Sequence, residues 1–559
     1  MYESGCKRSV NVRAPRTESI PFSSIPAQNK LFLDYLNSPL SLKHFYPSAV
    51  AEFAALAGRA DAVISNHATN RARLCSGLER TNRPLRATPE TIANINLLEQ
   101  PDSVAVLTGQ QTGLFTGPLY SIYKALTAIT GAECLRGQGI KAVPVFWMAT
   151  EDHDLAEVSS AFVVGNDGRL VESNAVSSIE DHGRSVGNVR FDRSIEREIR
   201  NLFSSLPKTE FSNDVHALIK DCWHAGQGFG EAFGSMLTRL LGKYGLVIVD
   251  PLEPEIKQLA VPLYLQAIDA SEQIESALIE RSADIEGAGY SAQVLIEKGH
   301  VPMFWQNNEG KRIALRTGTD GLFRPKGEKE AFTKSELLAM IKAGPSDFSP
   351  SVMLRPVVQD FLFPTIAYFG GGAEIAYFAQ NSEVYRILGR PVTPILHRQS
   401  FTIIEPRHER TIEKYQLSFD SLFAGRAEVL PSITDQILDP ATAKLFADVE
   451  EKINTELNRL DQALSQMDIT LAENLATRRR KIIYHIGALR KKYQLRRIVL
   501  DDDLNRRLND LFDSLLPNGH LQERTLNVVS FLDRYGEAFI DQVYSAADLN
   551  DSGHRLIYL

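Results

Sequence analysis

A chain of 559 residues is too long for one compact core, so two or three domains are expected. Its 43% hydrophobic and 23% charged residues are those of an ordinary globular protein, and a net charge of −8 argues against nucleic-acid binding as its main task. Four scattered cysteines, Cys6, Cys75, Cys134 and Cys222, exclude a dense disulfide framework and a Cys-rich zinc site, and they suit a reducing cytoplasm.

No stretch reaches the roughly 18 apolar residues that a bilayer crossing needs. The first twenty residues carry Lys7, Arg8, Arg13 and Arg16 without the apolar core of a secretory signal. Residues 1–19 are therefore expected to be a disordered extension, and the protein to be cytoplasmic with no membrane partner.

Residues 30–100 read as helical. Val104–Asp154 follows as an apolar run, a glycine-rich loop, a helix and a second apolar run, Ala142–Ala149, which stops on Glu151-Asp152-His153-Asp154. Strand, loop, helix and strand make a βαβ unit, and in open α/β sheets ligands bind where the strands end. In the helix, Leu119, Ile122, Tyr123, Leu126 and Ile129 form an apolar stripe suited to lying on a sheet, with Pro118 at its start.

Further on, a hairpin is expected around Val163–Val171, a short buried strand at Gly245–Asp250, a helix near Glu255–Glu280 and a hairpin joining Val301–Gln306 to Lys311–Leu315. Strands separated by helices, with antiparallel pieces inserted, indicate an α/β core with appended subdomains. From Phe446 the pattern changes. Phe446, Ile453, Leu460 and Met467 interleave with Leu457, Leu464 and Leu471 as an a/d seam, and the next set begins at Ile482, an offset of the stutter type. No proline interrupts Ala441–Leu516, which predicts a long helix or helical hairpin, either an internal bundle or a self-associating arm.

Three constellations could carry chemistry. In the loop, Gly109, Gly113 and Gly117 recur at intervals of four, with Thr108, Gln110 and Gln111 as neutral polar neighbours and Lys124 two turns into the helix. This is neither a Walker A motif nor GxGxxG, but glycines let backbone amides approach an anion at a helix N-terminus. Asp152, His153 and Asp154 would bind a substrate ammonium or a metal ion, or move a proton; alternatively an Asp caps the next helix. The third stretch has Arg355, Gln359 and Asp360 inside an apolar run, which demands pairing if buried, and Gly371 and Glu374 at a helix start. Glu374 could cap that helix or meet a cationic group. No metal-ligand set is assigned. Cys222-Trp223-His224 is read as a surface or half-buried helix and not as a nucleophile, since residues two apart on a helix do not face each other.

The segments TGQQTGLFTGPLYSIYKA, VPVFWMATEDHD, SPSVMLRPVVQDFLFPTIAYFGGGAEIAYFAQ and PNGHLQERTLNVVSFLDRYG resemble, in this order, the bacillithiol biosynthesis cysteine-adding family, BshC. The resemblance runs from about Ile20 to the C-terminus. It implies an α/β fold with a Rossmann-like core, inserted connective subdomains and an α-helical coiled-coil arm. The expected division is an extension at 1–19, a core at 20–400 with insertions near 160–240 and 280–345, an arm at 401–516, and a C-terminal segment at 517–559 packing on the core. The resemblance also implies a homodimer and a ligase that joins L-cysteine to glucosaminyl malate. Forming that amide near neutral pH requires an activated carboxylate, so ATP or another adenine nucleotide with Mg²⁺ is expected, as an acyl phosphate or acyl adenylate. The site residues named above rest on their own chemistry and not on the resemblance. A Rossmann-type nucleotidyl- or glycosyl-transferase and a non-catalytic coiled-coil scaffold or metabolite sensor are the competing readings.

Overall fold

The computed structural model describes residues 14–175, 183–437 and 440–559, which cluster into two compact units. The larger unit holds the described residues as far as Ile403, apart from Asp167–Arg169, together with Leu521–Leu559; the smaller holds those three residues and Ile404–His520.

Five parallel strands form the centre of the larger unit: β1 (Ser103–Gln110), β2 (Lys141–Met148), β3 (Val247–Val249), β4 (Thr365–Gly370) and β5 (Ile395–His397). Their order is β5-β4-β1-β2-β3. The chain therefore moves one way from β1 and returns to its other side at β4, which makes the β1/β4 boundary the switch point where such sheets bind ligands. Register places Gly109 beside Trp147 and Thr108 beside Phe369, so the loops after β1, β2 and β4 leave the same edge. β1 and β2 are buried over nearly their whole length, as parallel strands covered on both faces must be.

The helix α1 (Tyr120–Gly137) follows the glycine loop and connects β1 to β2. Its apolar stripe predicts one buried face, but every residue from Ser121 to Ala132 is buried. The face turned from the sheet is covered as well: Tyr123 packs edge-on to Phe401, Thr127 Oγ1 accepts from the Gln399 amide, and the Tyr544 hydroxyl donates to Glu133. Its many small residues, Ser, Ala, Thr and Gly, admit those neighbours.

Between β2 and β3 lie the hairpin Ser160–Val164/Leu170–Asn174 and three helices, Ser194–Ser205, Ser212–Cys222 and Phe229–Leu241. After β3 come α2 (Pro254–Asp269), a second helix and a four-stranded antiparallel sheet that contains His300–Gln306 paired with Arg312–Thr317. Then α3 (Arg355–Leu362) leads into β4, and α4 (Gly372–Ile387) leaves it.

The expected N-terminal extension is corrected in part. Arg16–Ile20 is a strand, paired antiparallel with His554–Tyr558, and the Arg16 guanidinium lies 3.7 Å from the Tyr558 ring centre. A chain end becomes ordered when another strand offers its free edge. Residues 1–13, including Cys6, lie outside the described residues.

In the smaller unit the a/d seam forms a hairpin of α5 (Pro440–Met467) and α6 (Ile469–Leu500), followed by α7 (Asp502–Leu515). The seam runs on across the reversal, so hydrophobic spacing alone does not reveal it. The reversal falls at Asp468, whose carboxylate accepts from the Thr470 amide and hydroxyl at 2.8 Å. Arg479 then reaches back to Asn454 and Asn458, and Tyr493 to Phe446. Among the described residues no helix is long and apolar enough to cross a membrane.

Candidate functional site

The glycine loop leaves β1 under strain. Phe115, Thr116 and Gly117 have φ of 53°, 76° and 69°, three left-handed residues in succession, two of them with side chains. The two with side chains, Phe115 and Thr116, cost of the order of 1–3 kcal/mol each and persist only where the surroundings impose them. Here the constraint is Asn527, fully buried, whose side-chain amide donates to the carbonyls of Leu114, Phe115 and Gly117 at 3.2, 3.0 and 2.7 Å. Its own carbonyl oxygen accepts from Val529 N, and Leu119 N donates to Leu526 O, so the C-terminal segment clamps the loop.

The glycines serve close backbone packing. A Cβ on Gly109 would lie 2.8 Å from the Trp147 carbonyl oxygen, and one on Gly113 would lie 2.6 Å from Gly117 Cα. Thr112 Oγ1, Thr116 Oγ1 and Ser121 Oγ are buried with no hydrogen-bond partner. Buried polar atoms are nearly always paired, so three unpaired hydroxyls on one loop and the first turn of its helix single this loop out among the described residues.

Lys124 is not available for that ligand. Its buried ammonium donates to the Gly109 carbonyl and the Gln110 Oε1, both at 2.8 Å, and forms an ion pair with Glu374. Three acceptors saturate its three N–H groups, which corrects the expectation that it reaches a phosphate or carboxylate. Glu374 is likewise committed: it also accepts from the Gly371 amide at 2.8 Å and from the Tyr368 hydroxyl at 2.6 Å. Burial alone would push its carboxyl up, but Lys124, the Gly371 amide and Tyr368 outweigh it and hold the group below the usual range. Glu374 thus caps α4, and the cation it meets comes from the protein. Thr108 is spent in the same way, donating to the Phe369 carbonyl at 2.8 Å.

Arg355 joins this network at half burial. It donates to Gln359 Oε1 at 3.1 Å and to the Tyr368 hydroxyl at 3.4 Å, with the Trp147 ring centre 6.0 Å away. Gln359 bridges Arg355 to Asp360, which faces the other way along α3. Gln359 is fully buried and donates to Asp360, which accepts from Tyr385 and lines a cleft with Thr365, the first residue of β4. Asp360 therefore stands at the amino edge of the sheet, separate from the glycine loop. The sequence shows a buried charge there but not which end of the helix meets which end of the sheet.

The second cluster divides as well. Glu151 withdraws into a buried ion pair with Lys257 of α2. Asp154 is a helix cap that accepts from the Glu157 amide at 3.1 Å, which corrects its assignment to chemistry. Asp152 and His153 remain half-exposed. Asp152 Oδ2 accepts from Gln111 Nε2 at 2.7 Å, and the same amide nitrogen donates to Glu157 at 2.7 Å, so the glycine loop and the acid loop are tied together. His153 Nδ1 lies 3.1 Å from Arg312 Nη1. A guanidinium can only donate, so Nδ1 accepts and the imidazole proton sits on Nε2. Arg312 also donates to Ser349 Oγ and the Pro350 carbonyl and stacks 3.6 Å over Phe304. Arg312, Lys257 and Asn527 escape sequence reasoning because each is distant in the chain from what it holds.

Among the described residues no group of three or more His, Cys, Asp or Glu could hold a metal ion. The Cys222 thiol is buried and its affinity for the proton is pushed up to about 11, which keeps it inert.

Comparison with known proteins agrees with this architecture. Residues 16–399 match the model for the N-terminal Rossmann-like domain of bacillithiol biosynthesis BshC, and residues 401–559 match its C-terminal coiled-coil domain. The chain is 35% identical to a protein of Koribacter versatilis over 97% of this chain and 99% of the relative. It is 32% identical to one of Solibacter usitatus over 96% and 98%, and 30% identical to one of Salinibacter ruber over 96% and 97%. All three bear the name "Putative cysteine ligase BshC". With both domains matched from residue 16 to residue 559, the chain belongs to the bacillithiol biosynthesis BshC family.

Proposed function

We propose that this protein is a cysteine ligase that joins the carboxylate of L-cysteine to the amine of glucosaminyl malate in the last step of bacillithiol synthesis. The observation that carries the reading is the strained loop with the orphaned hydroxyls of Thr112, Thr116 and Ser121, at the carboxyl edge of β1 and beside the switch point. That loop suits an oxyanion, and the names of the relatives supply the reaction class.

ATP or another adenine nucleotide, when bound, supplies activation of the carboxylate. The three hydroxyls and the first turn of α1 are the groups that would hold its phosphate oxygens, once the loop opens to admit them. Gly109, Gly113 and Gly117 let the loop backbone pack against Trp147 and against itself. Arg355, with guanidinium N–H groups beyond those given to Gln359 and Tyr368, steadies a carboxylate. Asp152, with Gln111 fixing its orientation, receives the cysteine ammonium. His153, whose imidazole is positioned by Arg312, is the group assigned to the proton of the attacking amine. Mg²⁺ fits here only as a companion of the phosphates, completed by water and at most one or two carboxylates.

The arm is read as the dimer contact. Leu460, Leu489 and Leu500 are 47%, 61% and 65% exposed on α5 and α6, apolar positions that a second copy would cover. The test of the enzymatic reading is incubation of the protein with glucosaminyl malate, cysteine and Mg-ATP, followed by mass spectrometry. A condensation product that requires both cysteine and nucleotide supports it, and binding without product sinks it.

A further inference from the structure

The amino edge of the sheet, opposite the glycine loop, carries a second recess. The helix Ala60–Asn66 forms one wall, and residues 390–394, which lead into β5, form the other. The chain entering β4 lies between them. The cleft opens to solvent and offers about 80 Å³, room for a small ion and a few waters and less than a typical metabolite pocket.

Two guanidinium groups line it. Arg59 gives one N–H to the Ser48 carbonyl at 2.7 Å, and Arg390 stacks 5.3 Å from the Phe361 ring centre. Among the described residues neither has an acidic side chain within ion-pair distance. Both are half-buried, and burial lowers the proton affinity of each, although an arginine keeps its charge. Asp360, the acid of the lining, is engaged by Tyr385 and Gln359. His67 donates to the Leu362 carbonyl at 3.0 Å, and burial drives it down to about 4, so it adds no cation at neutral pH. Val63, Phe363 and Pro391 supply apolar surface, and Asn66, Thr365 and Thr393 add neutral polar side chains.

Two incompletely paired cationic forks in a small cleft of mixed polar and apolar lining suit an oxyanion. We propose that this cleft is a binding site for a small oxyanion, carboxylate or phosphate, gripped by Arg59 and Arg390. The site is independent of the ligase reading, since it shares no residue with the glycine loop.

Titration calorimetry of the full chain with inorganic phosphate and, separately, with succinate tests it. We expect saturable binding of at least one, weakened about tenfold or more in Arg390→Gln and in Arg59→Gln, the loss expected for a charge-assisted hydrogen bond. Arg390→Lys should retain part of it. Binding of succinate alone names a carboxylate and binding of phosphate alone names a phosphate; either supports the site. If Arg59→Gln unfolds through loss of its Ser48 contact, Arg390→Gln carries the test by itself. No saturable binding of either anion overturns the proposal. So does binding that survives Arg390→Gln but is lost in a Thr112→Val/Ser121→Ala variant, because the anion would then be at the glycine loop.

Discussion

Lys124 and Glu374 form a buried ion pair that fastens the helix after β1 to the helix after β4, on either side of the switch point. Their side chains are 4% and 18% exposed, and each is completed by further partners, Gly109 and Gln110 for the lysine, Gly371 and Tyr368 for the glutamate. The pair sets the floor on which the glycine loop rests, although neither group is left over for a ligand.

Removing one member leaves an uncompensated buried charge. Lys124→Met is expected to lower unfolding stability by about 3–5 kcal/mol in urea titrations. The double variant Lys124→Met/Glu374→Gln should recover part of that loss. A single variant as stable as the parent would mean that the lysine is not buried as a cation.

Asn527 holds three loop carbonyls with one side-chain amide. Asn527→Ala should therefore lower kcat/KM by about 100-fold, because a displacement of about 1 Å is enough to misplace reacting groups. Asn527→Asp presents acceptors to those carbonyls and should do no better. Steady-state kinetics beside thermal unfolding separates loss of the loop from loss of the fold.

His153→Ala should reduce turnover by about 10²–10⁴-fold with little change in thermal midpoint, the range of a lost acid–base group. Arg312→Gln probes the same group from the other side. It removes the donor on Nδ1, so a change in the pH dependence of kcat is expected, and an unaltered profile would detach Arg312 from the chemistry.

Acid stability should fall in two stages. Burial pushes His554 down to about 4 from an ordinary 6.5. The unfolded chain then binds the extra proton between those values, and stability drops as pH falls through that window. Glu523 would be raised by burial, but Arg398, which pairs with it through both guanidinium nitrogens, and Ser400 hold it at about 2 against an ordinary 4.5. Its contribution is complete above 4.5 and is lost as pH falls toward 2. Ser400 Oγ lies 2.7 Å from both Glu523 Oε1 and His554 Nδ1, so the two groups share one site. Denaturation midpoints measured from pH 7 to pH 3 should show both limbs, and His554→Gln should flatten the upper one.

Much of this was legible in the residues. The apolar runs into Gln110 and Met148 and the stripe of α1 announce a βαβ unit, and the hairpin at Asn307–Gly310 announces itself by its turn. The heptad seam predicts the arm but leaves a long helix and a hairpin both open, and it does not locate the reversal at Asp468. Within the site the loop could be found, but its spare atoms could not. Lys124 and Glu374 look available in sequence because their partners are brought from 250 residues apart. Asp360 stands five residues from Arg355, yet α3 carries the two toward different edges of the sheet. Asn527 carries no signal of its own, as a lone asparagine near the end of the chain has no periodicity to betray what it holds.

The most direct test of the central claim is the product of the complete reaction mixture. Protein, glucosaminyl malate, cysteine and Mg-ATP should yield a species of the condensation mass, absent when cysteine or nucleotide is omitted and absent with His153→Ala. Product formed without nucleotide would contradict the activation chemistry assigned to the glycine loop, and no product under any mixture would contradict the ligase itself.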